Sequence, residues 1–142
     1  MAWVGKTKEA AIQSLTAEYA KRLARYVPTE THELPSEVAV LKLADKVART
    51  APVMVLLDSR GKQLSSEELA DLIRDYQDCG TQELLFAIGP SDGWSEPSLK
   101  AATVRLSLGR MTLPHELARV VLLEQLYRAF TILKGHPYHT GH

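Results

Sequence analysis

The hydrophobic positions of this chain form two kinds of pattern, short continuous runs and longer stretches with helical spacing. Continuous apolar runs are typical of strands buried on both faces of a sheet, and they occur at 53–57, 84–88 and 104–108. Shorter segments predict two further strands, at 2–4 and 31–34. Helical spacing predicts helices at 8–26, 37–49, 65–77, 95–102 and 114–134. Alternating strands and helices predict an α/β fold, with a mostly parallel sheet flanked by helices.

The residues between these elements are ones that start or stop helices. Pro28 ends the first predicted helix, because proline cannot continue a helical hydrogen-bond ladder. The run Ser65-Ser66-Glu67-Glu68 matches a capping box, and Gly80 and Gly135 stand where later helices should end. No repeat, low-complexity stretch or linker interrupts the 142 residues, so we expect one domain over 1–142.

The composition is that of an average soluble globular protein, with 45% hydrophobic and 24% charged residues. No apolar run reaches the roughly 18 residues that could span a membrane, and the N-terminus lacks the order of a signal peptide. Cys79 is the only cysteine, so we expect no intrachain disulfide and a cytoplasmic location. His136 and His139 have usable ligand spacing, but no carboxylate or cysteine lies beside them, so no metal site is predicted.

Net charge does not indicate a nucleic-acid partner, because seventeen basic residues balance seventeen acidic ones. An RNA role would depend on local basic residues, for which the candidates here are Lys6, Arg22 and Arg25. Basic residues in a last helical turn also complement the helix dipole. For Arg22 and Arg25 the local sequence favours the dipole interpretation, and RNA binding is the alternative.

Three strand exits are the places where a ligand could collect: Leu57-Asp58, Ile88-Gly89 and Leu108-Gly109. In open α/β sheets, ligands bind beyond the carboxyl ends of the strands, and glycine lets the backbone approach a ligand closely. Together these exits can form a pocket of backbone amides and apolar side chains, suited to a neutral adenine and its ribose. Phosphate-loop, dinucleotide and serine-hydrolase motifs do not occur in this sequence.

The C-terminal third of the chain does not follow the pattern of an ordinary packing helix. A loop of small and apolar residues at 109–113 leads into a helix that opens on Pro114. Three charged residues recur inside its apolar run: Arg119, Glu124 and Arg128. The tail 136–142 then carries three of the five histidines. Charges within an apolar helix and a tail rich in histidine indicate a functional segment.

Five segments follow one another in an order that characterises one enzyme family. They are Ala2-Trp3-Val4-Gly5-Lys6, Leu57-Asp58-Ser59-Arg60-Gly61-Lys62, Phe86-Ala87-Ile88-Gly89-Pro90-Ser91-Asp92-Gly93, residues 107–129 and Tyr138-His139. This ordered set, over nearly the whole chain, resembles the RlmH (YbeA-like) family of SPOUT methyltransferases. Each motif alone is weak, whereas the order of all five is specific.

The resemblance implies a SPOUT fold with a C-terminal trefoil knot, and S-adenosylmethionine bound in a bent conformation inside that knot. It implies a homodimer whose active site joins the cofactor of one subunit to the surface of the other. The implied reaction is methylation of N3 of a pseudouridine in 23S ribosomal RNA, on the ribosome. Carried over by position, the cofactor contacts would be Leu57, Gly89, Leu108, Gly109, Arg110, Met111, Thr112 and Leu113.

The tail and the last helix carry the expected catalytic and RNA-binding groups. His139 is the candidate for moving the N3 proton or orienting the base, because histidine titrates near neutral pH. Tyr138 could stack on the nucleoside or hydrogen-bond to it. Arg119 and Arg128 could contact RNA phosphate or pair with Glu124, and the spacing of Arg128 and Glu124 favours the ion pair.

Several interpretations stay open from the sequence. His115 is expected to be a structural or dimer-contact residue rather than a base. Pro90 and Thr140 depart from the family pattern, and the net charge of the chain is zero. A catalytically weak, SPOUT-like module that binds RNA or the ribosome is therefore an alternative. A methyltransferase for another RNA is a further alternative. The last helix is apolar on nearly every side, which predicts a homodimer, and the tail is expected to contribute little to folding.

Overall fold

The computed structural model describes residues 1–45 and 52–140, and it confirms an α/β fold with a parallel sheet. The five strands lie in the order β2-β1-β4-β3-β5, and the pairs between them are parallel. The predicted second helix extends to 49, beyond the described residues. In chain order the elements are β1 (Ala2–Val4), α1 (Ala10–Ala24), β2 (His32–Leu34), α2 (Glu37–Asp45), β3 (Val53–Gln63), α3 (Ser66–Asp78), β4 (Leu84–Ile88), α4 (Glu96–Ala101), β5 (Val104–Ser107) and α5 (His115–Leu133).

The sheet is buried on both faces, as its continuous apolar strands predict. Successive residues of a strand point to opposite faces, so Val55 and Leu56 enter two different apolar clusters. One cluster joins the sheet to α1, α3 and α5. The other joins it to α2, with Trp94 and Ala102 packed at its border. Helices therefore cover the sheet on both sides, which leaves the strand ends as the accessible edges.

Strand β3 continues past the point where the sequence predicts its end. We expected the strand to stop at Leu57, yet it extends to Gln63 after a register shift. Leu57 and Lys62 both pair with Leu106 of β5, so residues 58–61 form an irregular step between two paired stretches. Gly61 permits this step, because a Cβ there would lie 2.6 Å from the Arg105 carbonyl carbon. Residues 58–61, which we expected to lie beyond the strand, are a bulge within it.

The connection from β5 to α5 crosses the carboxyl edge of the sheet. Strand β5 is an edge strand, whereas the first turns of α5 contact residues at the ends of β4 and β1. The segment 108–114 therefore passes the end of β3 to reach them. This path brings the predicted cofactor loop over the three strand exits. The trefoil knot stays a prediction from the resemblance.

Helix α5 is covered more completely within one chain than its sequence predicts. It packs beside α1 and α3 on one face of the sheet, and most of its apolar side chains are buried there. Lys8, just before α1, contacts the start of α5, and Tyr26, just after α1, contacts Tyr127 toward the end of α5, so α1 and α5 run parallel. Leu117 is the large apolar residue of α5 that is exposed, at 38%.

Two glutamates from distant segments bind the backbone where β1 leads into α1. Glu33 accepts hydrogen bonds from the N–H and hydroxyl of Thr7, at 2.7 and 3.0 Å. Glu116 accepts from the N–H groups of Lys8 and Glu9, at 2.8 and 3.1 Å, and so supplies the cap that α1 lacks in its own sequence. The pKa of each carboxyl is lowered, and these backbone hydrogen bonds are the largest of the causes.

The lowered pKa values predict acid sensitivity with a defined sign. A carboxyl with a lowered pKa stabilises the fold above its unfolded pKa, and that stabilisation is lost as the pH falls through the folded pKa. We expect the free energy of unfolding to decrease below about pH 5, and the decrease to be shallower in Glu116→Gln. Urea denaturation at a series of pH values tests this, with Glu67→Gln as a control of equal charge change. Parallel pH curves for the wild type and Glu116→Gln would contradict it.

Candidate functional site

The carboxyl edge of the sheet brings together the residues expected to contact the cofactor. Leu57 is the last residue of β3 that pairs with β4, Gly89 follows β4, and 108–113 follows β5. Because β4, β3 and β5 are neighbours in the sheet, these three segments share one edge. Gly89 is buried and Leu113 half-buried, whereas Arg110, Met111 and Thr112 are exposed. The edge thus has a buried floor and an accessible loop.

Trp94 is a residue at this edge that the sequence did not single out. Its indole Nε1 donates to the carbonyl oxygen of Leu57 at 2.9 Å. Its ring also packs against Gly89, where an added Cβ would lie 2.6 Å from Cε2. Gly89 is therefore required because the Trp94 ring occupies the position of a side chain. The feature of the sequence that could have indicated this contact is a tryptophan directly after the turn that ends at Gly93.

Asp58, next to Leu57, contributes an unused acceptor. Its Oδ1 accepts from the Arg60 N–H at 3.3 Å, which is typical of a turn-stabilising aspartate. Its Oδ2 is buried and has no partner within residues 1–45 and 52–140. A buried carboxylate oxygen without a donor is costly unless a further group supplies one.

Pro90, which replaces a family glycine, fits the observed backbone. The carbonyl of Pro90 accepts from the Gly93 N–H at 2.9 Å, so Pro90 occupies the first position of a tight turn. The missing N–H of proline is not used by that turn. The described peptide bonds are all trans. The substitution is therefore compatible with this loop.

His115 and Arg119 connect the end of β4 to the end of β1. His115 Nε2 lies 2.5 Å from the carbonyl oxygen of Gly89, and its Nδ1 lies 3.1 Å from Arg119 Nη2. Arginine can only donate, so Nδ1 must accept, and Nε2 must carry the proton that is donated to Gly89. The arrangement thus defines one neutral tautomer of His115.

Arg119 is buried, with 1% of its surface exposed. Its guanidinium donates to the hydroxyl of Thr7 at 2.6 Å and to the carbonyls of Val4 and Gly5 at 3.3 and 3.2 Å. It also lies 5.4 Å from the centroid of the Trp3 ring. Burial lowers the pKa of Arg119, and Glu116 and Glu33 oppose that shift. Arg119 therefore has a structural position, in contrast to the expected phosphate contact or ion pair with Glu124.

The other expected RNA-binding residues divide between two regions. Lys6 is exposed in the loop after β1, at the carboxyl edge. Arg22 lies in the last turn of α1, pairs with Glu18 at 2.9 Å and stacks on the Tyr19 ring at 5.0 Å. Arg25 is exposed just after that helix. The position of Arg22 suits both the dipole and the RNA interpretation.

Glu124 and Arg128 form the ion pair that their spacing predicts. Arg128 Nη2 lies 2.6 Å from Glu124 Oε1, and both side chains are mostly buried. The hydrogen bond to Glu124 is the largest cause that raises the pKa of Arg128. Arg128 is therefore held on the surface of α5 rather than extended into solvent.

The tail docks on the protein, which the sequence did not predict. The Tyr138 ring meets the Tyr127 ring edge-on, with centroids 4.7 Å apart, and its hydroxyl donates to Glu124 at 3.1 Å. Arg128 lies 5.1 Å from the Tyr138 ring centroid. Burial, followed by hydrogen bonding to Tyr19, raises the pKa of Tyr138.

A second tail contact fixes the start of this segment. The Tyr26 hydroxyl and His136 Nδ1 are hydrogen-bonded, and their rings lie 5.5 Å apart. Residues Pro137–His139 form one 3₁₀ turn. The side chain of His139, the expected proton-transfer group, lies outside the described part of the chain. Aromatic contacts from Tyr127 on α5 and from Tyr26, just after α1, thus hold a tail that we expected to dock weakly.

No group of three or more His, Cys, Asp or Glu side chains in 1–45 and 52–140 could hold a metal ion. Within the same ranges, no helix has the length and apolar character needed to cross a membrane.

Comparison with known proteins identifies the family. The sequence model of the family described as "Predicted SPOUT methyltransferase" matches residues 1–139. A protein of Koribacter versatilis named ribosomal RNA large subunit methyltransferase H is 67% identical over 140 residues, which cover 99% of this chain and 96% of the relative. Proteins with the same name from Geobacter sp. (strain M21) and Carboxydothermus hydrogenoformans are 42% and 43% identical, and each comparison covers 96% of this chain and 95% of the relative. The chain therefore belongs to the RlmH branch of the SPOUT methyltransferase family.

Proposed function

We propose that this protein transfers a methyl group from S-adenosylmethionine to N3 of a pseudouridine in 23S ribosomal RNA, in the cytoplasm. The observation that carries the proposal is the convergence of Leu57, Gly89 and 108–113 at one sheet edge, in a chain of a methyltransferase family. The names of its relatives, which refer to the large ribosomal subunit, support the substrate class. The pseudouridine and its N3 position come from the family resemblance.

The polar groups at this edge fit a nucleoside cofactor. The carbonyls of Leu57 and Gly89 already accept hydrogen bonds from this chain, so they form walls rather than free acceptors. The buried Oδ2 of Asp58 lacks a donor among the described residues and could accept from a hydroxyl or amino group. The exposed stretch 110–112 offers backbone amides for the base. When bound, S-adenosylmethionine supplies the electrophilic methyl group.

The acceptor nitrogen must lose its proton before or during attack. A positioned general base typically contributes about 10²–10⁴-fold to such a step, and His139 is the proposed group. Tyr138, beside it, is proposed to stack on the nucleoside or donate to it. The remaining acceleration would come from holding the nitrogen in line with the methyl group.

The docked tail lies too far from the cofactor edge of its own chain to complete a site there. Tyr138 binds Glu124, whereas the cofactor edge adjoins His115, nine residues earlier on α5. At about 1.5 Å per residue, these positions are roughly 14 Å apart along the helix. A homodimer in which the tail of the partner subunit approaches this edge would bring the two parts of the site together. Exposed Leu15, Leu117 and Met111, at 42%, 38% and 85%, provide apolar surface for such a contact.

A catalytically weak RNA-binding module is the second candidate, and the structure gives it less support than the sequence does. Pro90 was one of its motivations, yet Pro90 fits a regular turn. The buried Oδ2 of Asp58, beside the proposed cofactor edge, is an acceptor that a bound nucleoside cofactor would use. Cofactor binding therefore distinguishes the two.

Cofactor binding is the first test. S-adenosylhomocysteine at about 100 times its dissociation constant should stabilise the fold by roughly 2.7 kcal/mol. Gly89→Ala should weaken binding, because its Cβ would displace the Trp94 ring, whereas Ser91→Ala, at an exposed position of the same loop, should not. Calorimetry and thermal unfolding measure both effects. The absence of heat and of a thermal shift at millimolar ligand would overturn the methyltransferase proposal.

The tail is tested separately with ribosomes. His139→Ala should lower the methylation rate about 10²-fold or more, with the affinity for S-adenosylhomocysteine unchanged. Tyr138→Ala should lose about 1–3 kcal/mol of base stacking, and Tyr138→Phe should retain it while losing the bond to Glu124. Single-turnover rates, read by mass spectrometry of the ribosomal RNA, distinguish these variants. A chain ending at Gly135 that methylates at the full rate would exclude a role for the tail.

The homodimer is tested by sedimentation and by complementation. We expect one species of twice 15.8 kDa at micromolar concentration, and dissociation in Leu117→Lys. Val38→Lys, at an exposed apolar position on α2, is the control. Mixing Gly89→Ala with a chain ending at Gly135 should restore activity, because one of the two sites then has both an intact edge and an intact tail. A 15.8 kDa species, or no restoration by mixing, would contradict a shared site.

A further inference from the structure

We propose that His115 is a positioning residue, which holds the Gly89–Pro90 peptide in the orientation that the cofactor requires. The inference rests on the proposed function, since it assigns a task to a residue beside the proposed cofactor edge. His115 contacts that edge through Gly89, and it is itself held by Arg119 on the next turn of α5. The task of His115 is to fix a backbone group.

The Gly89–Pro90 peptide has a single hydrogen-bonding group. Proline has no N–H, so the carbonyl oxygen of Gly89 is the one polar atom by which this peptide can be held. His115 Nε2 donates to that oxygen at 2.5 Å. The Trp94 ring packs against Gly89 at the position that a Cβ would occupy. Without the hydrogen bond from His115, the orientation of this peptide would depend on the packing of the Trp94 ring.

The tautomer of His115 is set by a buried charge. Arg119 Nη2, a donor, faces Nδ1 at 3.1 Å, so the proton of His115 is on Nε2, toward Gly89. Arg119 is fixed in this position, because its Nη1 donates to Thr7 and the Nη2 that faces His115 also lies within hydrogen-bond distance of the Val4 and Gly5 carbonyls. The end of β1 thereby fixes Arg119, Arg119 fixes His115, and His115 fixes Gly89.

A general-base role for His115 does not fit this geometry. Its one lone pair points at the Arg119 guanidinium, and its one proton is donated to Gly89. Neither nitrogen is available to take a proton from a substrate. The side chain therefore acts on the backbone of the site, and its removal should affect cofactor affinity.

Two amide variants separate the two bonds of His115. Asparagine places a polar atom at the position of Nδ1, so His115→Asn can keep the contact with Arg119 while it loses the hydrogen bond to Gly89. Glutamine reaches the position of Nε2, so His115→Gln can keep a donor to Gly89. His115→Leu removes both bonds at similar volume. Calorimetry measures the affinity of each variant for S-adenosylhomocysteine, and thermal unfolding without ligand measures its fold stability.

We expect His115→Gln to bind S-adenosylhomocysteine within about twofold of the wild type. His115→Asn and His115→Leu should bind about 5- to 10-fold more weakly, the loss expected for one hydrogen bond. Equal affinity in all four proteins, or retention by Asn and loss by Gln, would overturn the proposal. If the wild type itself binds no S-adenosylhomocysteine, the proposed function fails. If it binds and the variants do not follow this order, the proposed function stands and the role of His115 is excluded.

Discussion

Burial of the Arg119 guanidinium is the constraint on which the edge of this sheet depends. A buried charge needs hydrogen-bond acceptors, because its removal from water is expensive. The fold supplies them from the carbonyls that end β1, the Thr7 hydroxyl and the ring of His115. The position of Arg119 therefore dictates where β1 ends, how α5 approaches the sheet, and which nitrogen of His115 carries its proton.

The two ends of α5 have different tasks, and different interactions support them. At its start, polar contacts hold backbone groups at the carboxyl edge, where small displacements would alter the proposed cofactor site. Toward its end, aromatic rings and one ion pair hold the tail on a more accessible surface. Aromatic contacts of this kind are worth about 0.5–1.5 kcal/mol each, so releasing the tail from this surface would cost a modest free energy.

The order of strands and helices was predictable because hydrophobic spacing reports directly on burial. The extension of β3 was not, since residues 58–61 are polar in the manner of any turn and only the close approach of Gly61 to β5 reveals the bulge. Arg119 was conspicuous as a charge in an apolar helix. Among the described residues, two of its four hydrogen-bond partners are backbone carbonyls, which no side-chain pattern can indicate. Trp94 and the docked tail likewise depend on residues that are distant in sequence, Leu57 for Trp94 and Tyr26 for His136.

The contacts at the end of β1 also determine when the fold can be completed. Arg119 and Val4 are 115 positions apart, and Glu116 and Lys8 are 108 apart. Closing such long loops costs conformational entropy before any contact compensates for it, and parallel sheets with non-local pairing fold slowly for this reason. During synthesis from the N-terminus, the first strand and the cap of α1 must wait for the last quarter of the chain. The two ends of the protein can reach their final structure only together.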